Sequence, residues 1–453
     1  MVLTTQTDLE IPLTFRADVI GPIYQTLAAS DSCSVVGIGS VGKSNLLRFL
    51  RRDDVRQAQL GEAWSTYLLV YIDINKTLKL SRWGLFELML HQLIIELTNL
   101  GTEPQVLETL DELHQRATHP KTRYLALRYL DRAIRLVSHQ LGLRLVFLFD
   151  EFDELCRRMV PEGFSALRAL RDDYKYQLMY LVATRLELRR LRDDVKEIEA
   201  FEELVTPHTF WLGPYSETDA RLMLHRLESR HKTPLDENSI TQILKATGGH
   251  PGLLREGYSI FRQNPDDFFD TLTKSLKIQA ECQRIWLSLS SQEQAGMLAL
   301  TGQGHAQTEQ SDIIQRLRHK GLVRGKSPKA SPIFSSIFGA YIRQQEPSSD
   351  RDIYIDHRQR VVLIRGHEIR GLTPLEYDLM AYLDEKRGEL CTYDELAMRL
   401  YPEDMSFEGK GVTDTRLHSL VKRLRRQIEP SPGQPRYILT VRGHGFRLAD
   451  GEN

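Results

Sequence analysis

Cysteine is scarce in this sequence, and no two cysteines stand at a spacing that metal sites use. The four cysteines are widely separated, at Cys33, Cys156, Cys282 and Cys391. Structural zinc sites need paired cysteines, and disulfide scaffolds need a dense set of them. We therefore exclude both kinds of site and expect buried, reduced thiols in a cytosolic protein.

Long apolar segments and a surplus of charge of either sign are also missing. No apolar run approaches the ~20 residues of a membrane-spanning helix, and the longest, residues 143–149, is interrupted by Arg144. The N-terminal residues MVLTTQTDLE have neither the basic nor the apolar part of a signal peptide. We therefore expect a cytoplasmic protein without a membrane partner. The formal net charge is −1, so any nucleic-acid-binding signal must be local.

In the first half of the chain, short apolar runs alternate with helical patterns. Four runs are predicted strands: SCSVVGIGS, YLLVYIDIN, LRLVFLFDEF and YQLMYLVATR. They are apolar on both faces, which is typical of strands buried in a parallel sheet. Helical patterns at residues 83–100 and 124–141 lie between them. This alternation predicts a doubly wound α/β domain.

The second half is predicted to be mainly helical. Ser216 is a predicted helix N-cap, GGHP at 248–251 is a predicted helix stop, and a new helix is expected after Pro251. Residues 285–343, with WLSLSSQEQAGMLAL as one helix, have the helix–helix–strand order of a winged helix. QQEPSSDRD, at 344–352, is the predicted linker. Beyond it we predict short strands, three helices, the first capped by Thr373, and a two-stranded wing.

The segment after the first predicted strand fits the phosphate-binding pattern G-x-x-x-x-G-K-[ST], as GIGSVGKS at 37–44. It lies between a predicted strand and a predicted helix, which is the context in which this pattern binds phosphates. Lys43 is expected to reach the β- and γ-phosphates, and Ser44 is expected to bind Mg²⁺. The predicted nucleotide contacts here are Gly37, Gly39, Gly42, Lys43, Ser44 and Asn45.

An acidic pair ends the third predicted strand, as LVFLFDE at 145–151. Asp150 is predicted to hold Mg²⁺ together with Ser44, and Glu151 to orient or deprotonate the attacking water. Asp153 and Glu154 extend this acidic cluster; the preferred interpretation is that they are solvated acids at a helix start.

Arg185 lies at the tip of the fourth predicted strand, where a polar side chain can reach the γ-phosphate. We predict a phosphate sensor, with a structural salt bridge as the alternative. Together with Lys43, Asp150 and Glu151, it completes the predicted catalytic set.

The loop GIGSVGKS, the strand tip YLVATR and the run TFWLGPYSETDA resemble the STAND branch of P-loop ATPases, signal-transducing enzymes related to AAA+ proteins. The resemblance covers roughly residues 10–345 and implies ATP or ADP with Mg²⁺. It also implies that Pro214, His250 and Pro251 lie near the nucleotide. His250 is equally suited to capping a helix. No arginine finger can be assigned, so the rate of ATP hydrolysis stays open; the candidates are Arg168, Arg171, Arg189 and Arg190.

The C-terminal region is strongly basic. Between residues 414 and 447 there are eight lysines and arginines, and the acidic residues are Asp414 and Glu429. Such a local excess of positive charge is typical of a surface that binds DNA phosphates. LTPLEYDLMAYL, LHSLVKRLRRQIEP and PRYILTVRGHGFRL resemble the output domain of OmpR/PhoB-type response regulators over about residues 352–449. That family implies a helix in the major groove and a wing in the minor groove of double-stranded DNA. The implied DNA contacts are Thr415, Arg416, Ser419, Lys422, Arg423, Arg426, Thr440 and Arg442, with Leu420 and Leu424 packing inward.

These patterns together predict an α/β P-loop NTPase with a helical lid and a winged helix, plus a C-terminal winged helix-turn-helix domain. The predicted segments are the NTPase domain (1–213), the lid (214–284), the first winged helix (285–343), the linker (344–352) and the DNA-binding domain (353–450). The first winged helix is expected to act as a latch on the nucleotide domain, with DNA binding as the alternative.

The leading functional hypothesis is an ATP-dependent switch that regulates transcription and self-associates when it binds ATP, under an unidentified protein or ligand activator. Two alternatives stay open. One is a DNA-remodelling or DNA-loading ATPase of the Orc/Cdc6 type. The other is a defence or mobile-element ATPase that signals to a protein partner.

Overall fold

The computed structural model describes residues 11–76, 83–192, 195–301, 310–324, 333–345, 353–356, 360–364, 367–369, 371–401, 414–429, 435–441 and 443–449. The chain forms two compact units, residues 1–343 and residues 344–453. The predicted linker begins at the division between them.

The first unit contains five strands and a series of helices. In chain order these are α1 (Ala17–Ala28), β1 (Cys33–Gly37), α2 (Lys43–Leu50), α3 (Asp53–Leu60), β2 (Tyr67–Asp73), α4 (Gly84–Asn99), α5 (Pro104–Thr118), α6 (Ala126–Arg135), β3 (Arg144–Asp150), α7 (Phe152–Arg158), α8 (Pro161–Asp173), β4 (Leu178–Thr184), α9 (Glu199–Val205), β5 (Thr209–Leu212), α10 (Glu217–His231), α11 (Glu237–Thr247), α12 (Pro251–Gln263), α13 (Phe268–Lys274), α14 (Leu276–Trp286), α15 (Ser291–Leu300), α16 (Gln310–His319) and α17 (Ser336–Gln344).

The five strands form one parallel sheet in the order β2-β3-β4-β1-β5. The four predicted strands and the α/β fold class are confirmed. Apolar side chains alternate between two cores along each strand: Val146 and Leu148 face one core, and Leu145 and Phe147 face the other. Because both faces are covered, the strand sequences are continuously apolar.

The strand β5 was not predicted from the sequence. It is only four residues long, lies at the sheet edge beside β1, and has one fully buried residue, Leu212. A strand this short and half-exposed has no periodic pattern that sequence reasoning can detect.

The predicted single helix WLSLSSQEQAGMLAL is wrong, because the chain breaks between α14 and α15. Ser290 and Glu293 form a reciprocal capping box, in which each side chain accepts a hydrogen bond from the other residue's backbone N–H. Such a box satisfies the free N–H groups of a new helix. The expected caps at Ser216 and Thr373 are confirmed by their side-chain bonds to Asp219 and Glu376.

The helices α10 to α17, which form the predicted lid and first winged helix, share one core with one face of the sheet. Leu253 of α12, Ile285 of α14, Leu317 of α16 and Phe334 belong to the same cluster of buried side chains as Val35 of β1. An isolated bridge between Val323 and Ile333 follows α16. Residues 11–343, where described, are therefore packed as one body.

The second unit has the elements β6 (Ile353–Asp356), β7 (Val361–Ile364), β8 (His367–Glu368), α18 (Pro374–Glu385), β9 (Cys391–Thr392), α19 (Tyr393–Leu400), α20 (Asp414–Ile428), β10 (Ile438–Val441) and β11 (Gly445–Leu448). Two three-stranded sheets, β6-β7-β8 and β10-β11-β9, flank the helices. The core joins α18 to α20 through Leu379, Leu383, Leu417 and Leu424. This arrangement is a winged helix.

Candidate functional site

The glycine-rich loop at 37–44 joins the end of β1 to the start of α2. Ser40 and Gly42 have φ angles of 56° and 99°, so the loop curls through left-handed backbone conformations that glycine adopts most easily. Gly42 caps α2 without a side-chain hydrogen bond. The first N–H groups of α2 are thus left for another acceptor, and a phosphate is the acceptor that such a helix start suits.

Lys43 is buried beneath this loop. Its ammonium donates to the carbonyl oxygens of Gly37 at 2.7 Å and Ile38 at 3.3 Å. Burial lowers the pKa of Lys43, while the carboxylates of Asp153 and Glu151 oppose that shift. The Lys43 ammonium therefore lies beneath the glycine-rich loop, where it could bind the phosphate oxygens that the loop holds.

The two residues after Lys43 differ in exposure. Ser44 is half-buried in the first turn of α2, and its role as a Mg²⁺ ligand stays a prediction. Asn45 is exposed and accepts a hydrogen bond from Arg48 at 3.4 Å. A nucleotide role for Asn45 therefore stays a prediction without a specific contact to support it.

The carboxylate of Asp150 is buried and oriented at the end of β3. The Tyr71 hydroxyl donates to its Oδ2 at 2.6 Å, and the Glu151 N–H donates to its Oδ1 at 3.0 Å. Burial, followed by this hydrogen bond, raises the pKa of Tyr71. Sequence reasoning missed Tyr71; the signal is its position in β2, two residues before Asp73, which aligns with Asp150.

Glu151 is bound by Arg185, the predicted sensor. The Arg185 guanidinium donates to the Glu151 carboxylate at 2.9 Å, and Glu151 adopts a left-handed φ of 53°. Arg185 therefore forms the salt bridge named as the alternative. The role of Arg185 as a phosphate sensor stays a prediction.

The expectation that Asp153 is solvated is wrong. Asp153 is 1% exposed, and its carboxylate accepts the Arg185 N–H at 2.9 and 3.1 Å. It thereby anchors the tip of β4 to the start of α7. Glu154 is half-buried and pairs with Arg157 and Arg158 in its own helix, as an acid in a first helical turn does.

His250 links the lid to the phosphate loop. It is fully buried, its Nδ1 accepts the Leu253 N–H at 3.4 Å, and its Nε2 lies 2.9 Å from the Gly39 carbonyl oxygen. The acceptor role of Nδ1 places the proton of the neutral ring on Nε2. Burial lowers the pKa of His250 to about 4, and the carbonyl of Gly39 opposes that shift. His250 caps α12 and also contacts the loop.

The helix α14 also lies against the loop. A Cβ added to Gly39 would be 2.8 Å from the carbonyl oxygen of Arg284. Glu281, 4% exposed, pairs with Arg284 through one carboxylate oxygen, and its other oxygen has no hydrogen-bond partner among the described residues. A Cβ added to Gly252 would lie 2.5 Å from that oxygen and 3.2 Å from Ser40 Cβ. A carboxylate is thus packed beside the phosphate loop.

Arg16 is a site residue that sequence reasoning missed. Its guanidinium donates to the carbonyl oxygens of Val41 and Gly213, both at 3.0 Å, and lies 4.4 Å from the centre of the Tyr215 ring. The backbone N–H of Arg16 donates to the Asp219 carboxylate at 3.4 Å. One buried arginine thus joins the loop to the start of the lid. The available signal, an arginine within TFRAD, was too weak to single out.

Pro214 and Pro251 occupy different positions. The Pro251 ring lies 3.8 Å from a Cβ added to Gly42, so it sits over the loop. Pro214 packs against Gly321 at the end of α16, where an added Cβ would meet the proline ring at 2.8 Å. Pro214 therefore contacts the first winged helix, and a direct nucleotide role for it stays a prediction.

The first winged helix is bound to the nucleotide domain by polar contacts as well. Arg190 donates to Ser290 at 3.2 Å, next to the pair of Glu293 and Lys320, which is completely buried with an N–O distance of 2.7 Å. Arg324 donates to the Gly248 carbonyl of the predicted lid at 2.6 Å. Of these contacts, that of Arg190 joins the predicted nucleotide domain to residues 285–343, and the latch role stays a prediction.

The four candidate arginine fingers all bind within the unit. Arg168 pairs with Asp172, and Arg189 with Glu202. Arg171 is buried and donates to the Ser30 carbonyl at 2.6 Å. Arg190 contacts Ser290, as described above.

In the second unit, α20 has one apolar and one polar face. Leu417, Leu420, Val421, Leu424 and Ile428 are buried, so the two leucines expected to pack inward do so. The exposed residues include every predicted contact on this helix: Thr415, Arg416, Ser419, Lys422, Arg423 and Arg426.

The exposed helix residues form some contacts of their own. The Arg416 guanidinium lies 4.4 Å from the centre of the Tyr401 ring, and Arg423 lies 3.5 Å from the Glu376 carboxylate. Thr440 is exposed on β10 and accepts a hydrogen bond from Arg425 at 2.8 Å. Arg442 lies outside the described residues.

Glu429, one of two acids in the basic region, does not oppose DNA at the surface. It is 7% exposed, and its carboxylate accepts the N–H groups of Arg436, Tyr437 and Ile438 at 2.7–3.0 Å. It holds β10 against the end of α20. The charge presented by this face is therefore dominated by lysine and arginine.

Within the described ranges, no group of three or more histidine, cysteine, aspartate and glutamate side chains is suited to hold a metal ion. No helix in the same ranges is long and apolar enough to cross a membrane.

Comparison with known proteins identifies the C-terminal region. Residues 366–448 match the family described as Transcriptional regulatory protein, C terminal. The DNA-binding response regulator MtrA of Mycolicibacterium smegmatis is 36% identical over 97 residues, which are 21% of this chain and 40% of MtrA. This chain therefore spans about two fifths of the length of that relative.

Two solved structures are similar to the larger part of the chain. The Walker-type ATPase paby2304 of Pyrococcus abyssi has a TM-score of 0.44 and 16% identity, with 74% of this chain and 99% of that chain covered. The ORC2 protein of Aeropyrum pernix has a TM-score of 0.40 and 16% identity, with coverages of 74% and 96%. The chain combines a five-stranded parallel sheet, with a glycine-rich loop after β1, and a C-terminal winged helix whose residues 366–448 match the transcriptional regulatory family.

Proposed function

We propose that this protein is a transcription regulator whose DNA binding and self-association are controlled by ATP and ADP at the phosphate loop. The observation that carries the proposal is the contact of three distant segments with one short stretch of that loop. Arg16 binds the Val41 carbonyl, His250 binds the Gly39 carbonyl, and the Arg284 carbonyl packs against Gly39. A ligand at this loop acts directly on the lid.

The loop and the strand ends offer a complete set of groups for nucleotide binding. Lys43 and the N–H groups of α2 would hold the phosphates, and Ser44 with Asp150 would hold Mg²⁺. Mg²⁺ supplies charge neutralisation of the phosphates when it is bound. Glu151 is then the residue of this chain that would orient the attacking water.

The ion pair between Arg185 and Glu151 favours slow hydrolysis. While Arg185 donates to the Glu151 carboxylate at 2.9 Å, that carboxylate is engaged by the guanidinium and is not directed at water. A switch with a long-lived ATP state needs such slow turnover. A motor would require the opposite arrangement.

The lid contacts favour a closed state with ADP and an open state with ATP and an activating signal. Opening would allow copies of the chain to associate, so that several C-terminal winged helices bind repeated half-sites. Linked weak sites bind far more tightly than one site alone, because the second contact is intramolecular.

The test is the solution mass of the full chain with ADP and with a non-hydrolysable ATP analogue, each with and without the protein's own promoter DNA. We expect assembly only with the ATP analogue, and its loss in Lys43→Ala. Lys175→Ala is the matched control, because Lys175 is exposed before the start of β4, at the opposite end of the sheet. Normal assembly and operator binding by Lys43→Ala would refute nucleotide control.

Two outcomes favour the other functions. DNA-stimulated ATP turnover in rings or filaments would indicate a DNA-loading ATPase. Nucleotide-dependent association with a protein partner, without any effect on operator affinity, would indicate a signalling ATPase that uses DNA binding for autoregulation.

A further inference from the structure

The segment from the end of α5 to β3 carries a concentration of basic residues, of which Arg116 and Arg135 pair with Glu112 and Asp131. Residues 113–149 contain seven lysines and arginines and a single acid, Asp131. The excess of positive charge equals that of the C-terminal DNA-binding segment at 414–447. In a chain with a net charge of −1, a second such concentration needs its own explanation.

The helix α6 places these charges on one face. Tyr129, Leu130, Ala133 and Ile134 are buried against the neighbouring helices, whereas the arginines of α6 are exposed. The turn before α6 adds further exposed groups, among them Tyr124 with 66% of its surface exposed. We define the α6 patch as Lys121, Arg123, Tyr124, Arg128 and Arg132.

Several other helices of the same unit pair basic residues with acids of their own. Arg157, Arg168, Arg221 and Lys274 each pair with an acid three or four residues away in the same helix. Such pairs are common on a solvated helix face. On α6, by contrast, Arg128 and Arg132 lie one helical turn apart, and among the described residues neither has such a partner.

On α6 only Arg135 has an acid partner, Asp131 at 3.6 Å, and Asp131 also accepts the Tyr174 hydroxyl at 2.8 Å. Within the described part of the chain, Lys121, Arg128 and Arg132 have no carboxylate within 4.0 Å. The exposed acids of the adjacent α5 are included: none of them lies within 4.0 Å of the basic groups of Lys121, Arg128 or Arg132. The patch is therefore free to attract an anionic partner.

We propose that the α6 patch binds the phosphate backbone of double-stranded DNA without sequence preference. Arg128 and Arg132 are one helical turn apart, so both guanidinium groups can reach phosphates of one strand. Tyrosine hydroxyls such as that of Tyr124 are also frequent phosphate donors. Contacts of this kind add affinity and fix orientation, and the winged helix reads the sequence.

DNA is favoured as the partner because the chain itself brings it. DNA held by the C-terminal family domain is tethered to the first unit, so even a weak surface is used at high effective concentration. DNA binding by the α6 patch depends on the C-terminal domain to bring the DNA, and it is independent of nucleotide control.

The experiment measures the salt dependence of DNA binding by the full chain without nucleotide, using fluorescence anisotropy of a random-sequence duplex. The patch variant is Lys121→Ala/Arg128→Ala/Arg132→Ala; alanine preserves α6 because it is the best helix former. The matched control, Arg262→Ala/Lys274→Ala/Lys277→Ala, removes the same charge from exposed positions of the lid. Thermal unfolding of both variants checks that each is folded.

We expect the slope of log K against log salt to fall by about 2–3 in the patch variant, since each lost phosphate contact changes it by about 0.9. The lid control should keep the slope of the natural protein. Lys422→Ala/Arg423→Ala in α20 should lower the slope independently, so that the combined variant shows the sum of both decreases.

Equal slopes for the patch variant and the lid control overturn the proposal. Patch-dependent binding to phosphatidylserine vesicles, with an unchanged DNA slope, also overturns it and assigns the surface to membranes. A failure of nucleotide control is seen separately, as assembly that does not respond to Lys43→Ala, and it leaves the slope difference intact.

Discussion

Protonation of His250 is expected to weaken the closed lid in mildly acidic solution. The ring is fully buried, and its Nδ1 accepts the Leu253 N–H that begins α12. A proton on Nδ1 removes that acceptor and places a charge near Lys43 and Arg16, both of which lower the pKa of His250. The neutral ring is therefore the form that the folded protein prefers.

The magnitude follows from the two pKa values. In the folded protein the pKa of His250 is about 4, below its ordinary 6.5, so the unfolded chain takes up the proton first. Stability is then complete above about pH 6.5 and is lost as the pH falls toward about 4. Between about pH 7 and about pH 5 the loss is about 2 kcal/mol.

Denaturant unfolding of the full chain, followed by tryptophan fluorescence, measures the stability of the first compact unit, residues 1–343, which contains His250. All four tryptophans lie in the first unit, at Trp64, Trp83, Trp211 and Trp286. The control is His250→Asn, because asparagine caps helices well and does not titrate. Carboxylates titrate alike in both proteins, so the difference between the two pH profiles isolates His250. Identical profiles for His250→Asn and the natural protein would refute the reasoning.

Three further perturbations address the latch and the loop. Lys320→Met should lower the free energy of unfolding by about 3–5 kcal/mol in urea titrations, because the Glu293 carboxylate is left buried without its ion-pair partner. The double variant Lys320→Met/Glu293→Gln should recover most of the lost free energy. If it recovers none, the loss comes from packing and not from charge. Gly39→Ala should speed release of a fluorescent ADP analogue, since its Cβ would lie 2.8 Å from the Arg284 carbonyl oxygen; an unchanged rate would show that α14 does not limit release. Glu281→Gln should bind an ATP analogue several-fold more tightly in calorimetry, because a negative charge beside the phosphates is removed; equal affinity would place Glu281 outside the phosphate field.

Local sequence patterns were sufficient for the parts of the site that are contiguous in the chain. The loop at 37–44 follows β1, Asp150 and Glu151 end β3, and the exposed and buried residues of α20 alternate as its amphipathic pattern predicts. In each case, hydrophobic periodicity and one short motif carry all the information. The same holds for the caps at Ser216 and Thr373, which act within three residues.

Contacts between distant residues were decided only by the tertiary structure. Arg16 reaches Gly213 across 197 positions, and His250 reaches Gly39 across 211; no local pattern links such pairs. Asp153 looked like a solvated helix start, yet the fold buries it against the backbone of Arg185. The sequence does not show whether a charged side chain faces water or a partner residue, because the packing of the fold decides this. The sequence therefore determined the glycine-rich loop after β1 and the amphipathic, basic helix α20, whereas the tertiary structure decided that α12 and α14 pack against that loop.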